Sequence, residues 1–367
     1  MTDAGTLTPA RQGAGQGGRP LRVAMLAPVA WRVPPRHYGP WERVVSLLTE
    51  GLVRAGVDVT LFATADSLTA ATLSAVVPSG YEETPGMDVK VMEALHLGNL
   101  FDRAAQFDVI HNHADFLPLG YAGLVATPTV TTVHGFSGPG ILPVYRRYDG
   151  RTAYVSISDA DRAPDLTYAA TVYHGLDLTE FTFRAEPGAY LVFFGRMHPD
   201  KGAADAIRIA RAAGLPLKLA GIVQDRAYFE REVQPHLNPA SGPDVQYLGS
   251  VGPQERDRVL SGALALLHPI HFDEPFGLSM VEAMACGTPV IAYRRGSVPE
   301  VVGTDGGVIV PPGDEAAAVQ AVRTAATLDR RAVRARVERL FTVQHMVDGY
   351  LQVYRGMLAA RTAGTRP

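Results

Sequence analysis

The chain has 367 residues, of which 47% are hydrophobic, and a formal net charge of −3. This size predicts two or three globular domains, and the balanced charge argues against a nucleic-acid partner. The single cysteine, Cys286, allows no internal disulfide and suits a reducing, cytoplasmic location. With no run of 18 apolar residues in the sequence, we expect neither a transmembrane span nor membrane association.

The first predicted elements form a strand–helix–strand unit. Met1 to Pro20 lacks an apolar segment, so we expect a mobile tail and no secretory signal. A short apolar strand, Leu21–Ala27, is followed by a loop with three prolines between Trp31 and Trp41, the helix Glu42–Ala55 and the strand Val57–Ala63. Such a unit predicts a parallel sheet. Glycine is missing directly after the first strand, which argues against a nicotinamide-binding fingerprint.

Three histidines follow two later strands of the same half. His111 and His113 end the strand Phe107–His113, and His134 ends Thr129–Gly135. Ligands of parallel sheets bind at the carboxyl ends of strands, so these side chains are expected to face one crevice. Two interpretations of the first pair with Asp115 remain open: a metal site, or hydrogen bonds to nearby loops. The other predicted elements of this half are a helix at Glu93–Ala105, a strand at Arg151–Ser158, a helix starting at Ser158 and a strand at Thr171–Asp177.

The second half repeats the alternation after a linker, Leu178–Gly188. Its first strand, Ala189–Gly195, runs into a polar loop that carries Arg196 and Lys201. These cations are either ordinary surface charge or a clamp for a diphosphate beside a helix N-terminus. The further predicted elements are helices at Ala203–Ala213, Tyr228–Leu237, Pro253–Gly262, Asp314–Arg339 and Val343–Ala360, and strands at Leu217–Gly221, Val245–Gly249, Ala263–Pro269 and Asp305–Pro312.

The segment His271–Ala292 combines a loop, a short helix and a strand. Pro275 and Gly277 favour the loop, Leu278 to Cys286 favours the helix, and Gly287 ends it. Glu274 and Glu282 flank the helix N-terminus, whose free N–H groups suit an anion. Carboxylates can accept hydrogen bonds from hydroxyls, so the segment favours a sugar nucleotide over a bare phosphate. Cys286 is expected to be a small buried core residue.

Five motifs occur in an order that resembles glycosyltransferase family 4, retaining enzymes of the GT-B fold. The most specific is Glu274-x7-Glu282 within Glu-Pro-Phe-Gly-Leu-Ser-Met-Val-Glu-Ala-Met-Ala-Cys-Gly-Thr-Pro-Val. The other four are Phe107-Asp-Val-Ile-His-Asn-His113, Thr132-Val-His-Gly135, His174-Gly-Leu-Asp-Leu-Thr-Glu-Phe181 and Gly195-Arg-x4-Lys-Gly202. The resemblance extends from about Leu21 to Leu358 and implies two Rossmann-like parallel-sheet domains that face each other across a cleft.

The resemblance also implies a role for each matched residue. Arg196 and Lys201 would hold the diphosphate of a nucleotide-sugar donor, Glu274 the sugar hydroxyls and Glu282 the ribose. Backbone groups would support the sugar and phosphates at Phe276, Gly277, Leu278 and Ser279. The other half would bind a carbohydrate or other hydroxyl-bearing acceptor and supply His134, which contacts the donor sugar. Neither a metal nor a cofactor is implied.

One position departs from the family pattern, which often has two glycines before the first helix. Here Gly39 is followed by Pro40. Proline has no N–H, so one amide that could contact the phosphate or the acceptor is lost. Gly39 can still approach a ligand closely.

The expected organisation is a tail (1–20), an acceptor domain (21–180), a donor domain (181–345) and a helix that crosses back to the first domain (346–367). The expected activity is transfer of a hexose with retention, from a UDP-sugar in preference to a GDP-sugar. The alternatives are a GT-B sugar-nucleotide epimerase or hydrolase, and a catalytically silent protein that binds nucleotide sugars. The oligomeric state is not predictable from these features.

Overall fold

Two parallel sheets make up the framework of the computed structural model, which describes residues 19–37, 39–135, 139–237 and 242–363. Within these residues the first sheet has seven strands in the order β3-β2-β1-β4-β5-β6-β7, and the second has six in the order β10-β9-β8-β11-β12-β13. The strands of the first sheet are β1 Arg22–Leu26, β2 Asp58–Phe62, β3 Thr72–Ser74, β4 Val109–Asn112, β5 Thr129–Val133, β6 Ala153–Ser156 and β7 Tyr168–Thr171. Those of the second are β8 Leu191–Phe194, β9 Leu217–Ala220, β10 Val245–Tyr247, β11 Ala265–His268, β12 Val290–Tyr293 and β13 Gly307–Val310.

Helices cover the faces of both sheets, which explains why several strands are buried along their whole length. In the first half they are α1 Pro40–Arg54, α2 Val89–Phe101, α3 Leu119–Ala122 and α4 Leu142–Tyr148. In the second half they are α5 Ala203–Ala213, α6 Arg226–Tyr228, α7 Pro253–Ser261, α8 Leu278–Ala285, α9 Val298–Val302, α10 Glu315–Ala325, α11 Arg330–Leu340 and α12 Val343–Thr362. This is the predicted α/β class with two Rossmann-like domains.

The strand orders determine where a ligand can bind. Each sheet grows outward in both directions from its first strand: β1 lies between β2 and β4, and β8 lies between β9 and β11. The loops after β1 and β4, and those after β8 and β11, therefore diverge at the carboxyl edge and leave a crevice between them. The sequence motifs around Gly39, His113, Arg196 and Glu274 follow these four strands.

The last helix, α12, belongs to the core of the first half. Tyr350 and Tyr354 are fully buried in one hydrophobic cluster with Val44 and Leu48 of α1. The two helices approach closely at Gly51, where a Cβ atom would lie 2.5 Å from a methyl group of Val347. A larger residue at this position would push α12 away from the sheet.

Some predicted elements differ from the observed ones. No helix begins at Ser158: the described chain turns there, with the Ser158 hydroxyl accepting from the Asp161 N–H and donating to the Pro275 carbonyl. The predicted helix Tyr228–Leu237 is a short α-turn followed by a π-helical turn, Phe229–Val233, and a 3₁₀ turn at Gln234–His236, which contains Pro235. Helix α2 starts four residues earlier than expected, because Asp88 caps it.

Other expectations concern the tail, the cysteine and the membrane. Most of the predicted tail lies outside the described residues; Arg19, at its end, pairs with Asp108. Cys286 is buried, as predicted, and burial raises the pKa of its thiol. Across the described ranges, every helix is too short or too polar to cross a bilayer.

Candidate active site

A cavity of about 370 Å³ lies between the carboxyl edges of the two sheets. This volume is within the usual range for small-molecule sites. All ten residues predicted to contact the donor or the acceptor line it: Gly39, His134, Arg196, Lys201, Glu274, Phe276, Gly277, Leu278, Ser279 and Glu282. The structure therefore brings together residues that are up to 243 positions apart, from Gly39 to Glu282.

Helix α8 directs its N-terminus at this cavity. Gly277, the residue before the helix, has φ 84° and no side chain that could cap the helix. The first N–H groups of α8 therefore stay available to a ligand. A Cβ atom at Gly277 would lie 2.3 Å from the methyl group of Met280. The positive φ favours glycine here, whereas the Met280 methyl group is the end of a flexible side chain and could move.

The buried side chain of Glu274 lies beside two polar side chains, one of which is a cation. Lys201 Nζ lies 3.0 Å from Oε2, and His268 Nε2 lies 3.3 Å from the same oxygen. Burial acts to raise the pKa of Glu274, but the charge of Lys201 and the neighbouring His268 outweigh it and lower the pKa to about 2. Glu274 is therefore ionised at neutral pH and can accept hydrogen bonds from hydroxyl groups.

The two cations of the loop after β8 are positioned differently. Lys201 is mostly buried and lies 4.2 Å from the centre of the Phe272 ring, in addition to its pairing with Glu274. Arg196 donates to the Gln224 side chain and lies 3.6 Å from Asp200. Both side chains line the cavity, as a diphosphate clamp requires. Lys201 is not an ordinary surface charge, because its side chain is mostly buried.

Glu282 takes part in an ion-pair cluster that the sequence did not reveal. Its Oε1 lies 3.1 Å from Arg256 of α7 and 3.9 Å from Arg43 of α1. Both arginines also contact Glu180, in the connection between the two halves. Arg43 and Arg256 line the cavity as well. Each lies in an amphipathic helix where an arginine usually faces solvent, so no sequence pattern identifies them.

His134 forms the middle of a buried chain of histidines. Its Nε2 lies 2.8 Å from His113 Nδ1, and its Nδ1 lies 3.4 Å from His174 Nε2. Burial lowers the pKa of His134, and the neighbouring His113 and His174 lower it further. These rings are therefore neutral at physiological pH. Trp41 stacks on the other side of His134, with ring centres 5.1 Å apart.

The interpretation as hydrogen bonds to nearby loops is confirmed for His113, which bonds to His134 in the loop after β5, but not for His111. His111 bonds Thr132 of β5 at 2.8 Å and Tyr354 of α12 at 2.6 Å, so its partners lie in regular elements and not in loops. Asp115 accepts from Tyr145. Where side chains are described, no group of three histidine, cysteine or acidic residues is arranged to hold a metal ion.

The first-half side of the cavity begins at Gly39, which precedes α1 with φ 146°. Pro40 is the first residue of α1, a position whose N–H has no partner within the helix, so proline costs the helix nothing there. A Cβ atom at Gly39 would lie 2.8 Å from Pro35 and 3.0 Å from the Glu42 carboxylate. Burial raises the pKa of Glu42 to about 7, against the lowering effect of hydrogen bonds from backbone amides.

Gly135, which follows His134, lies against the loop that carries Glu274. A Cβ atom there would lie 2.7 Å from Pro275, so this glycine allows the two halves to touch. The Ser158 hydroxyl also donates to the Pro275 carbonyl, at 2.6 Å. The loop that carries Glu274 is thus supported from the opposite half of the molecule.

Comparison with known proteins gives matches to two family models. The model described as "Glycosyltransferase Family 4" matches residues 41–163, and "Glycosyl transferases group 1" matches residues 179–338. A relative, the glycogen synthase of Mycobacterium tuberculosis, is 27% identical, and the match covers 95% of this chain and 97% of that protein.

Solved structures show the same arrangement. AviGT4, a glycosyltransferase involved in avilamycin A biosynthesis, superposes with a TM-score of 0.71 at 27% identity, covering 93% of this chain and 99% of that one. HepE of Anabaena in complex with UDP-glucose superposes with a TM-score of 0.68 at 16% identity, covering 92% and 100%. The latter likeness establishes the fold only.

Proposed function

Because the chain belongs to glycosyltransferase family 4 and has the GT-B fold, we propose that it transfers a hexose, with retention of configuration, from a nucleotide-diphosphate sugar to a hydroxyl acceptor. The observation that carries this proposal is the Lys201–Glu274 ion pair. It lies in the same cavity as the α8 N-terminus and as His134 of the opposite half. A charged donor site and a neutral acceptor side thus meet in one cleft.

In this proposal the diphosphate lies against fixed positive charge. Arg196 and Lys201 line the cavity, and the free N–H groups of α8 lie beside them. When the bond between the anomeric carbon and the diphosphate breaks, negative charge develops on the phosphate. Cations and amides that are already in place stabilise this charge without further reorganisation, which is usually the largest contribution to catalysis.

The two carboxylates divide the recognition of the donor. Glu274 is ionised and accepts from the sugar hydroxyls, with the backbone of Phe276, Gly277, Leu278 and Ser279 as support. Glu282 accepts from the ribose through its second oxygen, since Oε1 is already bound by Arg256. The base then lies toward Gly221, Ile222 and Val251, which line the same cavity.

The opposite half completes the site at the transferred sugar. His134 reaches it by giving up its long, 3.4 Å hydrogen bond to His174. The backbone of Gly39, which lines the cavity, approaches the phosphate or the incoming hydroxyl.

Retention follows from a reaction on a single face of the sugar. The bond from the anomeric carbon to the diphosphate oxygen breaks, and the acceptor oxygen bonds to that carbon on the same side. The departing phosphate oxygen takes the acceptor's proton. Glu274 and Glu282 are therefore not an acid and nucleophile of the glycosidase type.

Charge neutralisation by Arg196 and Lys201 makes a divalent cation unnecessary in this proposal, so addition of a chelator should leave the rate unchanged. UDP is our first choice of nucleotide. It is the nucleotide in the HepE complex, but that likeness concerns the fold, so GDP- and ADP-sugars belong in the same test.

The test is incubation of the purified protein with a panel of UDP-, GDP- and ADP-hexoses, with and without a mixture of hydroxyl acceptors. Transfer to an acceptor is the expected result, with only slow hydrolysis at retained configuration when the acceptors are left out. Formation of a 2-epimer would indicate an epimerase. Binding without turnover would indicate a silent nucleotide-sugar-binding protein. Either of these two results would overturn the proposal.

A further inference from the structure

A second cavity, of about 530 Å³, opens beside the first one, between α2 and the loops after β1 and β4. These loops lie at the carboxyl edge of the first sheet, where ligands of such sheets bind. Trp41 lines both cavities, so it forms their shared wall. A molecule in the second cavity can therefore lie next to the sugar that we place in the first.

The walls of the second cavity are largely apolar and aromatic. They include Trp41, Tyr81, Leu97, Phe116 and Tyr121. Two of the lining side chains, Leu117 and Tyr121, are each 39% exposed. Exposed apolar side chains in the wall of a pocket are typical of a binding site.

His96 supplies a directional polar group in this apolar setting. It lines the cavity with only 2% of its surface exposed. Its Nε2 lies 2.9 Å from the Ala27 carbonyl, so Nε2 carries the proton and Nδ1 is left as an acceptor. Nδ1 is buried and has no hydrogen-bond partner among the described residues. A buried acceptor without a partner is costly, and a ligand hydroxyl would satisfy it.

The charges around the cavity argue against an anionic ligand. The charged side chains that line this cavity are one cation, Lys90, and two carboxylates, Glu93 and Asp115. Asp115 already accepts a hydrogen bond from Tyr145. A phosphate would therefore gain one cation and meet two acidic side chains, whereas a neutral ligand with an apolar body meets no such repulsion.

We propose that the second cavity binds the acceptor, and that the acceptor is an uncharged molecule with an apolar ring or alkyl body and at least two hydroxyl groups. One hydroxyl donates to His96 Nδ1, and another extends past Trp41 to the donor sugar. This inference rests on the proposed function, since it names the substrate class of that reaction. It separates the chain from enzymes whose acceptor is a polysaccharide or a sugar phosphate.

The experiment uses phenyl β-glucoside and octyl β-glucoside as probes, with glucose, maltotetraose and inositol 1-phosphate for comparison. Affinities are measured by calorimetry, and KM values with the donor that is active in the panel. We expect the phenyl and octyl glucosides to bind about tenfold more tightly than glucose, because their apolar groups leave water. Equal affinity for glucose, or a preference for maltotetraose or inositol 1-phosphate, would overturn the inference.

A pair of variants on α2 locates the site. Ala94 lines the cavity, and its neighbour Leu95 does not; both are exposed on the helix. Ala94→Trp should fill the cavity and weaken binding of phenyl β-glucoside about tenfold or more, while donor hydrolysis stays at the wild-type rate. Leu95→Trp should change neither property.

Equal effects of the two tryptophans on acceptor binding would place the acceptor elsewhere. Failure of the proposed function would look different, because wild-type protein would then turn over none of the donors. Donor turnover without the expected acceptor preference contradicts only the inference made here.

Discussion

The two sides of the cleft are built from different chemistry. On the second-half side, Lys201, Glu274 and Glu282 are charged and paired within 3.1 Å of an opposite charge or polar partner. On the first-half side, Arg43 pairs with Glu180 and Glu282, but the side chains around His134 are neutral: His134 stacks on Trp41 and bonds to other neutral histidines. The charged side suits an anionic donor whose leaving group gains charge, and the neutral side suits an acceptor that must lose its water. We therefore expect the second half to bind the donor and the first half to bind the acceptor.

Removal of the central carboxylate should have the largest effect. Glu274→Ala leaves Lys201 without its partner and deprives the sugar hydroxyls of an acceptor. We expect the transfer rate to fall about 100- to 1000-fold, as for the loss of one preorganised group in other active sites. The matched control is Asp273→Ala, the neighbouring carboxylate, whose side chain is 77% exposed. Wild-type turnover of the Glu274 variant would remove this residue from the site.

Removal of the nearest cation should come next. Lys201→Met takes away charge from the diphosphate, and we expect about 100-fold slower transfer. Because Lys201 lowers the pKa of Glu274, the acid limb of the pH–rate profile should also move to higher pH. Arg226→Met, at an arginine 87% exposed on α6, is the control and should have the wild-type profile. An unchanged acid limb would show that the pair does not act together.

On the neutral side, the buried carboxyl of Glu42 should make stability depend on pH. Its pKa of about 7 in the folded protein is above the ordinary value of 4.5. The protonated Glu42 carboxyl fits its buried site, so the stability that it contributes is fully present below pH 4.5. This stability is lost as the pH rises through about 7 and the carboxyl ionises. The difference corresponds to about 3 kcal/mol, and the weaker hydrogen bonds that an amide accepts remove about 1 kcal/mol of it.

Glu42→Gln should accordingly be about 2 kcal/mol more stable than wild type at pH 8, with no such gain at pH 4. Urea unfolding at the two pH values measures this. Glu93→Gln, a less buried carboxyl on α2, serves as the comparison and should give a smaller gain. An equal gain at both pH values would mean that Glu42 does not titrate as described.

Loss of the proposed contact between Glu282 and the ribose should weaken donor binding moderately, and only for donors that carry the ribose hydroxyl. Glu282→Gln weakens one charge-assisted hydrogen bond, so we expect about tenfold weaker binding of the UDP-sugar. The same variant should bind the 2′-deoxy donor about as well as wild-type protein does. If both donors lose affinity equally, Glu282 acts through its ion pairs with Arg256 and Arg43 and not through the ribose.

The smallest effect is expected at His111, whose ring centre lies 4.1 Å from that of His113, one end of the histidine chain. Tyr354→Phe removes the partner of His111 Nδ1 and should cost about 1 kcal/mol of unfolding free energy. Donor affinity should be unchanged, since Tyr354 does not line either cavity. The half-exposed Tyr121, changed to Phe, provides a control for loss of a tyrosine hydroxyl. A change in donor affinity would mean that the Tyr354–His111 hydrogen bond affects the donor site as well as the stability of the fold.

Local patterns in the sequence account for the charged side of the cleft better than for the neutral side. The segment from His271 to Ala292 contains its own loop, helix start and strand, so Glu274, Gly277 and Glu282 were predictable from neighbouring residues. Glycine and proline fix where such elements begin and end. The strand–helix alternation likewise predicted both sheets.

The neutral side depends on contacts between distant segments. His134 owes its surroundings to His113, His174 and Trp41, which follow different strands or begin a helix. No periodicity brings these residues together, and the same is true of Arg43 and Arg256 around Glu282. The helix expected at Ser158 failed for a similar reason, because Ser158 bonds to Pro275 of the other half.

The most direct test of the account is the configuration at the anomeric carbon of the transferred sugar. The donor is supplied with ¹³C at that carbon, and its one-bond carbon–proton coupling is followed by NMR from donor to product. We expect an α-linked donor to give an α-linked product, because the reaction occurs on one face with the diphosphate as proton acceptor. A β-linked product formed directly from an α-linked donor would contradict the proposed reaction in this cleft.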